Sequence, residues 1–175
     1  MPSVDVVRTY LELTSRTELV PCERPDPRAR VETVLDSPAS FFRYLYQEVG
    51  RGHGWFDRLA WSDEQLRQRL AQPGVSLHLL TVAAAPAGYF ELERHADDSA
   101  EIAYMGLLAE FRGRGLGAFV LCEAVREAWA TGASRVWLHT CTLDSPAALP
   151  NYLARGFRPF KEERYVAETQ APSLG

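Results

Sequence analysis

A single mixed α/β domain is the fold class that three features of this sequence predict. Its 175 residues suffice for one domain with a sizeable core and are too few for two ordinary ones. Apolar residues recur at helical spacing up to Leu70, then alternate with polar ones after Pro73-Gly74. The stretch EFRGRGLGAF, Glu110 to Phe119, sets glycines at alternate positions between a strand pattern and a helix pattern. Taken in order, the elements read β, two helices, three strands, helix, strand, helix, strand.

Val4 to Leu13 is β-branched and mixed in polarity, the pattern of an edge strand. PCERPDPRAR, Pro21 to Arg30, holds three prolines and mixed charge and reads as a loop. In DSPASFFRYLYQEVG, Ser37 is the expected N-cap, Pro38 the first helical position and Phe41, Phe42, Leu45 and Val49 the apolar stripe. RGHGWFDRLAW is a glycine-broken aromatic loop; Ser62 with Gln65 then forms a capping box that opens a short helix through Leu66 and Leu70. Val75 to Ala84, Gly88 to Arg94 and Ala100 to Leu108 read as a three-stranded meander, its first turn around Ala85-Pro86-Ala87. A helix is expected from about Gly115 to Thr131, a strand over Ser134 to Thr142, a short helix leading to Gly156-Phe157 and a last strand or hairpin around Arg158 to Ala167.

Composition excludes several functions. A net charge of −4 lacks the basic footprint of a nucleic-acid-binding protein. No apolar run approaches the roughly 20 residues of a membrane span, and MPSVDVVRTY does not read as a secretory signal. Cys22, Cys122 and Cys141 are too few and too scattered for a disulfide framework and odd in number, which points to reduced thiols in a cytoplasmic protein.

Glycine costs roughly 1 kcal/mol in a helix interior relative to alanine, so three of them at a strand-to-helix junction call for a reason. The free N–H groups and positive dipole end of a helix's first turn bind phosphate, and glycine lets the backbone approach a ligand. Arg112 and Arg114 add positive charge. A P-loop fails, since Ala118-Phe119 follows Gly117 in place of Lys and Ser or Thr. Gly113, Gly115 and Ala118 satisfy a dinucleotide fingerprint, yet the acidic residue expected about 20 positions on is missing. A dinucleotide-binding protein therefore stays the weaker alternative.

RGRGLG matches the R/Q-x-x-G-x-G/A signature of the GNAT acetyltransferase superfamily, with Arg112, Gly115 and Gly117 in the defining places. In AALPNYLARGF, Ala148, Tyr152, Gly156 and Phe157 resemble the family's A-x-x-x-Y-x-x-x-G-F ending. The resemblance runs over almost the whole chain. It implies a mixed, mostly antiparallel central sheet of about six to seven strands, helices on both faces, and a V-shaped splay between the strands at 100–108 and 134–142. It also implies one N-acetyltransferase domain over 1–175, with about 168–175 a short tail, and acetyl-CoA as co-substrate without a metal. The implied reaction is direct attack of a primary amine, on a small molecule or a peptide, in a ternary complex. Family members often form dimers, so a homodimer is open. A non-catalytic acyl-CoA-binding or regulatory module is the competing reading.

By the same resemblance, the pyrophosphate falls to Arg112, Gly113, Arg114, Gly115, Leu116, Gly117 and Ala118. Gly106-Leu107-Leu108 would carry a bulge whose backbone binds pantetheine, with the amide of Leu107 facing the thioester carbonyl and Leu108 beside it. Tyr152 stands where the family places the acid that protonates the departing thiolate. Glu101 resembles its general base, with Glu91, Glu93 or water as substitutes. Ser145 takes a place where many members have a cofactor-contacting asparagine, and it also suits the N-cap of a helix starting at Pro146, with Pro150 predicting a kink or a late start. The first two helices and their connection form an acceptor wall in the family, which brings in His53 and Trp55. His139 and Cys141 share a face of their strand by alternation; with Asp144 they suggest a metal pair or a Cys-His nucleophile, or, more plainly, packing with His139 bordering the cleft.

Overall fold

The computed structural model describes residues 3–168, so most of the expected tail lies outside the described residues. Seven strands form one sheet in the order β2-β3-β4-β5-β6-β1-β7. They are β1 (Ser3–Leu13), β2 (Ala29–Val34), β3 (Val75–Val82), β4 (Ala85–Arg94), β5 (Ser99–Leu107), β6 (Arg135–Cys141) and β7 (Arg158–Glu168). Every neighbouring pair is antiparallel except β5 and β6. The helices are α1 (Ala39–Gly50), α2 (Asp63–Ala71), α3 (Leu116–Ala130) and α4 (Ala148–Ala154).

The helices cover both faces of the sheet. Helix α3 buries Phe119, Val120, Ala124 and Val125 in one core with Phe90, Leu92, Ile102, Val136, Leu138, Leu11 and Leu13. On the other face Phe42, Leu45 and Val49 of α1 meet Leu77, Tyr89 and Leu66. Each Val, Leu, Ile or Phe among them, once buried, contributes about 1.5–3 kcal/mol. The second face is covered only over the β2–β5 half. Over β6, β1 and β7 it carries Trp137, His139, Tyr10, Glu12 and Arg8, which alternation sets opposite Leu11, Leu13 and Leu138.

Several expectations are corrected. Strand β1 is not an edge: it lies between β6 and β7, pairing Tyr10 with His139 on one side and with Lys161 on the other. The true edges are β7 and β2, and β2 begins inside the stretch read as a loop. The β3–β4 turn falls at Ala83 and Ala84, with φ of 51° and 67°, because Val82 pairs with Ala85. Pro38, not Ser37, is the N-cap of α1. The capping box of Ser62 and Gln65 forms as expected. Pro150 falls in the first turn of α4, where its missing N–H breaks no helical bond, so the helix starts late and does not kink.

Two irregularities shape the cleft. Strands β5 and β6 pair only from Ser99–Glu101 to Arg135–Trp137 and then part, which makes the V. Just past that point β5 bulges: pairing passes from Leu92–Ile102 to Glu91–Tyr104, leaving Ala103 extra. The bulge is therefore at Ala103 and not at Gly106, whose register with Tyr89 is regular. Gly106 answers to packing, since a Cβ there would come within 2.5 Å of Val49 Cγ1 on α1.

Candidate active site

Where β5 and β6 separate, a cleft of about 460 Å³ passes through the sheet. Its walls come from β5, from β6 and the loop after it, from the α1–α2 loop, from the first turn of α3 and from α4.

The glycine loop supplies one end. Gly113 and Gly115 have φ of 75° and 76°, left-handed values that glycine adopts without strain. Gly115 is the N-cap of α3 and gives no side chain to cap it. The first-turn amides of Leu116, Gly117 and Ala118 therefore have no helical carbonyl and no capping oxygen as partners. A Cβ at Gly117 would find no neighbour nearer than Asn151 Nδ2 at 3.8 Å, so this backbone faces open space. Gly113, Gly115, Gly117 and Ala118 line the cleft. These open amides at a positive dipole end fit a pyrophosphate.

The other predicted loop residues divide. Arg112 lines the cleft and donates from Nη2 to the carbonyls of Val49 and Leu107, both at 3.3 Å, pinning α1 to the end of β5. Arg114 lies with its guanidinium 5.2 Å from the Phe111 ring centroid and is absent from the cleft lining. The Leu116 side chain is in the core. Leu108 is buried under α1 and its amide donates to Ala87 at 2.8 Å. Because amides alternate in direction along an antiparallel strand, the amide of Leu107 points away from β4 and into the splay. Ser145 lines the cleft while its Oγ accepts from the Ala147 amide at 3.3 Å.

Tyr152, on α4, is 8% exposed and forms part of the cleft wall. Burial, and then the charge of Asp144, push its phenol well above the ordinary tyrosine range, so it stays protonated at neutral pH. The neighbouring Asn151 donates to the Gly117 carbonyl at 3.1 Å and ties α4 to the glycine loop.

Glu101 is not part of the cleft lining. It sits at the last position where β5 pairs with β6, opposite Trp137 there and Glu93 on β4, and its Oε2 lies 2.8 Å from His95 Nε2. Burial raises its carboxyl, and the His95 hydrogen bond opposes that shift. Glu93, His95 and Glu101 hold ligand-type atoms within 4.8 Å of one another. Arg69 already occupies Glu93 at 2.7 Å, and His95 and Glu101 bond each other, so all three are engaged by the protein. Glu91, named above as a substitute base, is wholly buried, held by Arg58 at 2.6 and 3.0 Å and by Arg69 at 2.7 Å. It offers nothing to the cleft.

The acceptor-side expectations are better placed. His53 lines the cleft with a buried Nε2 that has no hydrogen-bond partner. Trp55 donates to Asp144 at 3.3 Å across the mouth of the splay. The Asp144 carboxylate also accepts from Thr140 at 2.7 Å and from the Cys141 amide at 3.0 Å, which makes it a clasp across the end of β6. His139 lines the cleft one pleat beyond Trp137, where β5 has departed. Burial lowers its pKa from the ordinary value, and the Arg8 charge lowers it further. Sequence reasoning missed Arg8, Asp57, Tyr104, Asn151 and Tyr165, all of which line the cleft. Asn151, next to Tyr152 in the quoted motif, had a local signal. The others reach the site through tertiary pairing alone.

The family model described as "Acetyltransferase (GNAT) family" matches residues 32–157. No curated protein matches the sequence significantly. Among solved structures, a GCN5-related N-acetyltransferase from Kribbella flavida aligns at 21% identity over 90% of this chain and 56% of its own, with a TM-score of 0.63. One from Sphaerobacter thermophilus aligns at 16% identity over 92% and 50%, with a TM-score of 0.71. The chain thus spans about half of either structure. The ribosomal-protein-S18-alanine N-acetyltransferase from Escherichia coli aligns at 13% identity over 84% of this chain and 99% of its own, with a TM-score of 0.60. These likenesses bear on the fold; the family match, with the glycine loop and the splayed strands, shows that the chain belongs to the GNAT family of acetyltransferases.

Proposed function

We propose that the protein is an acetyl-CoA-dependent N-acetyltransferase acting by direct attack of a primary amine. The observation that carries this reading is the left-handed turn at Gly113 and Gly115, which leaves the first-turn amides of α3 open beside a cleft walled by Tyr152. Acetyl-CoA, when bound, supplies an acyl group activated as a thioester.

The residues divide the remaining work. Leu116, Gly117 and Ala118 amides, with Arg112 beside them, hold the pyrophosphate. The amide of Leu107, freed by the splay, orients the reacting carbonyl as an oxyanion donor. An amine attacks only when neutral, so its ammonium must lose a proton. An unprotonated ring nitrogen of His139 takes that proton, because its depressed pKa keeps the imidazole neutral at pH 7. In this reading the base passes from Glu101 to His139, since only the imidazole lines the cleft. Tyr152 gives its phenolic proton to the leaving sulfur, and the burial that raises its pKa keeps that proton in place until the thiolate forms.

The test is CoA release, followed with a thiol-reactive dye, across a panel of small amines, amino acids and peptides. Turnover dependent on the amine supports the reading. Tight CoA binding with no turnover on any amine favours a non-catalytic acyl-CoA-binding module.

A further inference from the structure

Arg8 presents an unusual state for a guanidinium at a cleft. It lines the acceptor end together with His139, Cys141 and Tyr165. Its Nε is buried without a hydrogen-bond partner, and among the described residues no carboxylate lies within ion-pair distance of it. Its Nη2 donates to the Tyr165 hydroxyl at 3.2 Å, and the guanidinium lies 5.0 Å from that ring's centroid.

The obvious partner has been drawn away. Glu163 sits directly opposite Arg8 in the β1–β7 register. Its carboxylate instead accepts from Tyr10 at 2.9 Å and pairs with Lys161 at 2.5 Å. With no carboxylate partner, this half-buried guanidinium keeps donors to spare for an incoming anion. The tyrosine hydroxyl and the fork of Nη and Nε donors suit a planar carboxylate.

Position says whose anion it is. Alternation sets Arg8 on the sheet face of His139 and Cys141, opposite Leu11 and Leu13, which pack against α3. The glycine loop opens α3 on that other side, so the phosphates of the donor belong there. Across the cleft the lining carboxylate of Asp57 is exposed and engaged only by the Tyr104 hydroxyl, at 3.3 Å. One end of the acceptor pocket is thus cationic and the other anionic.

Building on the acetyl-transfer reading above, we propose that the acceptor is a free amino acid, its carboxylate received by Arg8 and Tyr165 and its amine directed to His139. Removing a carboxylate from a charge-assisted pair of this kind costs about 10- to 100-fold in affinity.

The experiment compares L-amino acids with their α-carboxamides as acceptors, for the wild type and for Arg8→Met, which keeps length and apolar contact with Tyr165. The wild type is expected to favour at least one amino acid over its amide by about 10-fold or more in kcat/KM. Arg8→Met should collapse that ratio by raising the acceptor KM while the KM for acetyl-CoA stays within about twofold. Amides serving as well as acids, or a raised KM for acetyl-CoA in Arg8→Met, would overturn the proposal; the latter would assign the anion to the donor's phosphates. A second measurement separates this idea from catalysis itself. Titration of wild-type protein with N-acetylglycine and with N-acetylglycinamide, followed by the NMR signal of the Arg8 Nε–H, should show saturation by the acid only. Saturation in a protein that turns over no amine would sustain the carboxylate site and sink the transferase reading. No response to either compound would sink the carboxylate site.

Discussion

Arg58 and Glu91 face each other through two hydrogen bonds of 2.6 and 3.0 Å, with the Arg58 side chain 6% exposed and that of Glu91 not at all. The guanidinium also lies 4.4 Å from the ring centroid of Tyr104 and 5.0 Å from that of Trp61. This pair fastens the α1–α2 loop, which carries His53, Trp55 and Asp57, onto the interior strand β4. Breaking one partner of a buried pair leaves the other charge stranded and costs about 3–5 kcal/mol. Glu91→Ala should therefore lower the unfolding free energy by that amount in urea denaturation. A change under about 1 kcal/mol would show the pair to be dispensable.

Gly115→Asp sets a carboxylate and a side chain at the N-cap of α3, where the phosphates are proposed to sit. Aspartate tolerates left-handed backbone at about 1 kcal/mol, and the nearest neighbour of a new Cβ is Pro25 at 3.4 Å, so the fold should persist. CoA affinity by calorimetry should fall about 100-fold or more, as expected for opposed charge in place of an anion hole. Unchanged affinity would refute the loop assignment.

Tyr152→Phe removes one oxygen from a buried wall and leaves the ring beside Phe157 in place. Loss of a general acid typically costs 10²- to 10⁴-fold. The expected result is a fall of about that size in kcat with CoA affinity changed by less than threefold. Equal kcat would remove the acid role.

The His139 assignment carries a pH signature. The base works unprotonated, and burial with the Arg8 charge lowers its pKa, so kcat/KM should fall on the acid side at a pH below the ordinary histidine value. Asp144, Asp57 and Glu163 pull the other way and limit the shift. Arg8→Met removes a nearby cation and should move the acid limb to higher pH. His139→Asn should abolish the limb; its survival unaltered would name a different base.

His78 offers a stability prediction away from the cleft. It is buried between Thr33 at 3.2 Å and Ser76 at 2.9 Å and stacks 4.5 Å from Phe90. Burial pushes its pKa down to about 4. The unfolded chain binds that proton near the ordinary value while the folded chain resists it, so stability should be full above about pH 6.5 and decline as pH falls towards 4. His78→Gln should flatten that slope in a pH series of melting temperatures.

Much of the fold was legible because its elements advertise themselves locally. The Ser62–Gln65 box, the alternation of β3 to β6 and the stripe of α3 are short-range patterns. Strand β2 hid because ARVETV sits at an edge with mostly exposed side chains, so little alternation marks it. Strand β1 looked like an edge because Arg8, Tyr10 and Glu12 are polar, and they are polar because their face of the sheet carries no helix. The glycine loop and Tyr152 were readable as motifs. Glu91 misled because the arginines that consume it lie 33 and 22 residues earlier. Arg8 was invisible for the same reason: its neighbours Cys141 and Glu163 are more than 130 residues away in the chain.

That separation has a kinetic meaning. Strand β1 has no sheet partner until β6 and β7 emerge, long after it. Contacts of such sequence separation slow folding, because a long loop must close before any pairing rewards it. The β2–β5 meander with α1 and α2 can settle early, from local contacts. The half of the cleft that holds Arg8, His139 and Tyr165 is then completed late, by a strand that has waited for β6 and β7. A chain stalled before β7 would carry the glycine loop intact and still lack the strand that sets Tyr165 beside Arg8.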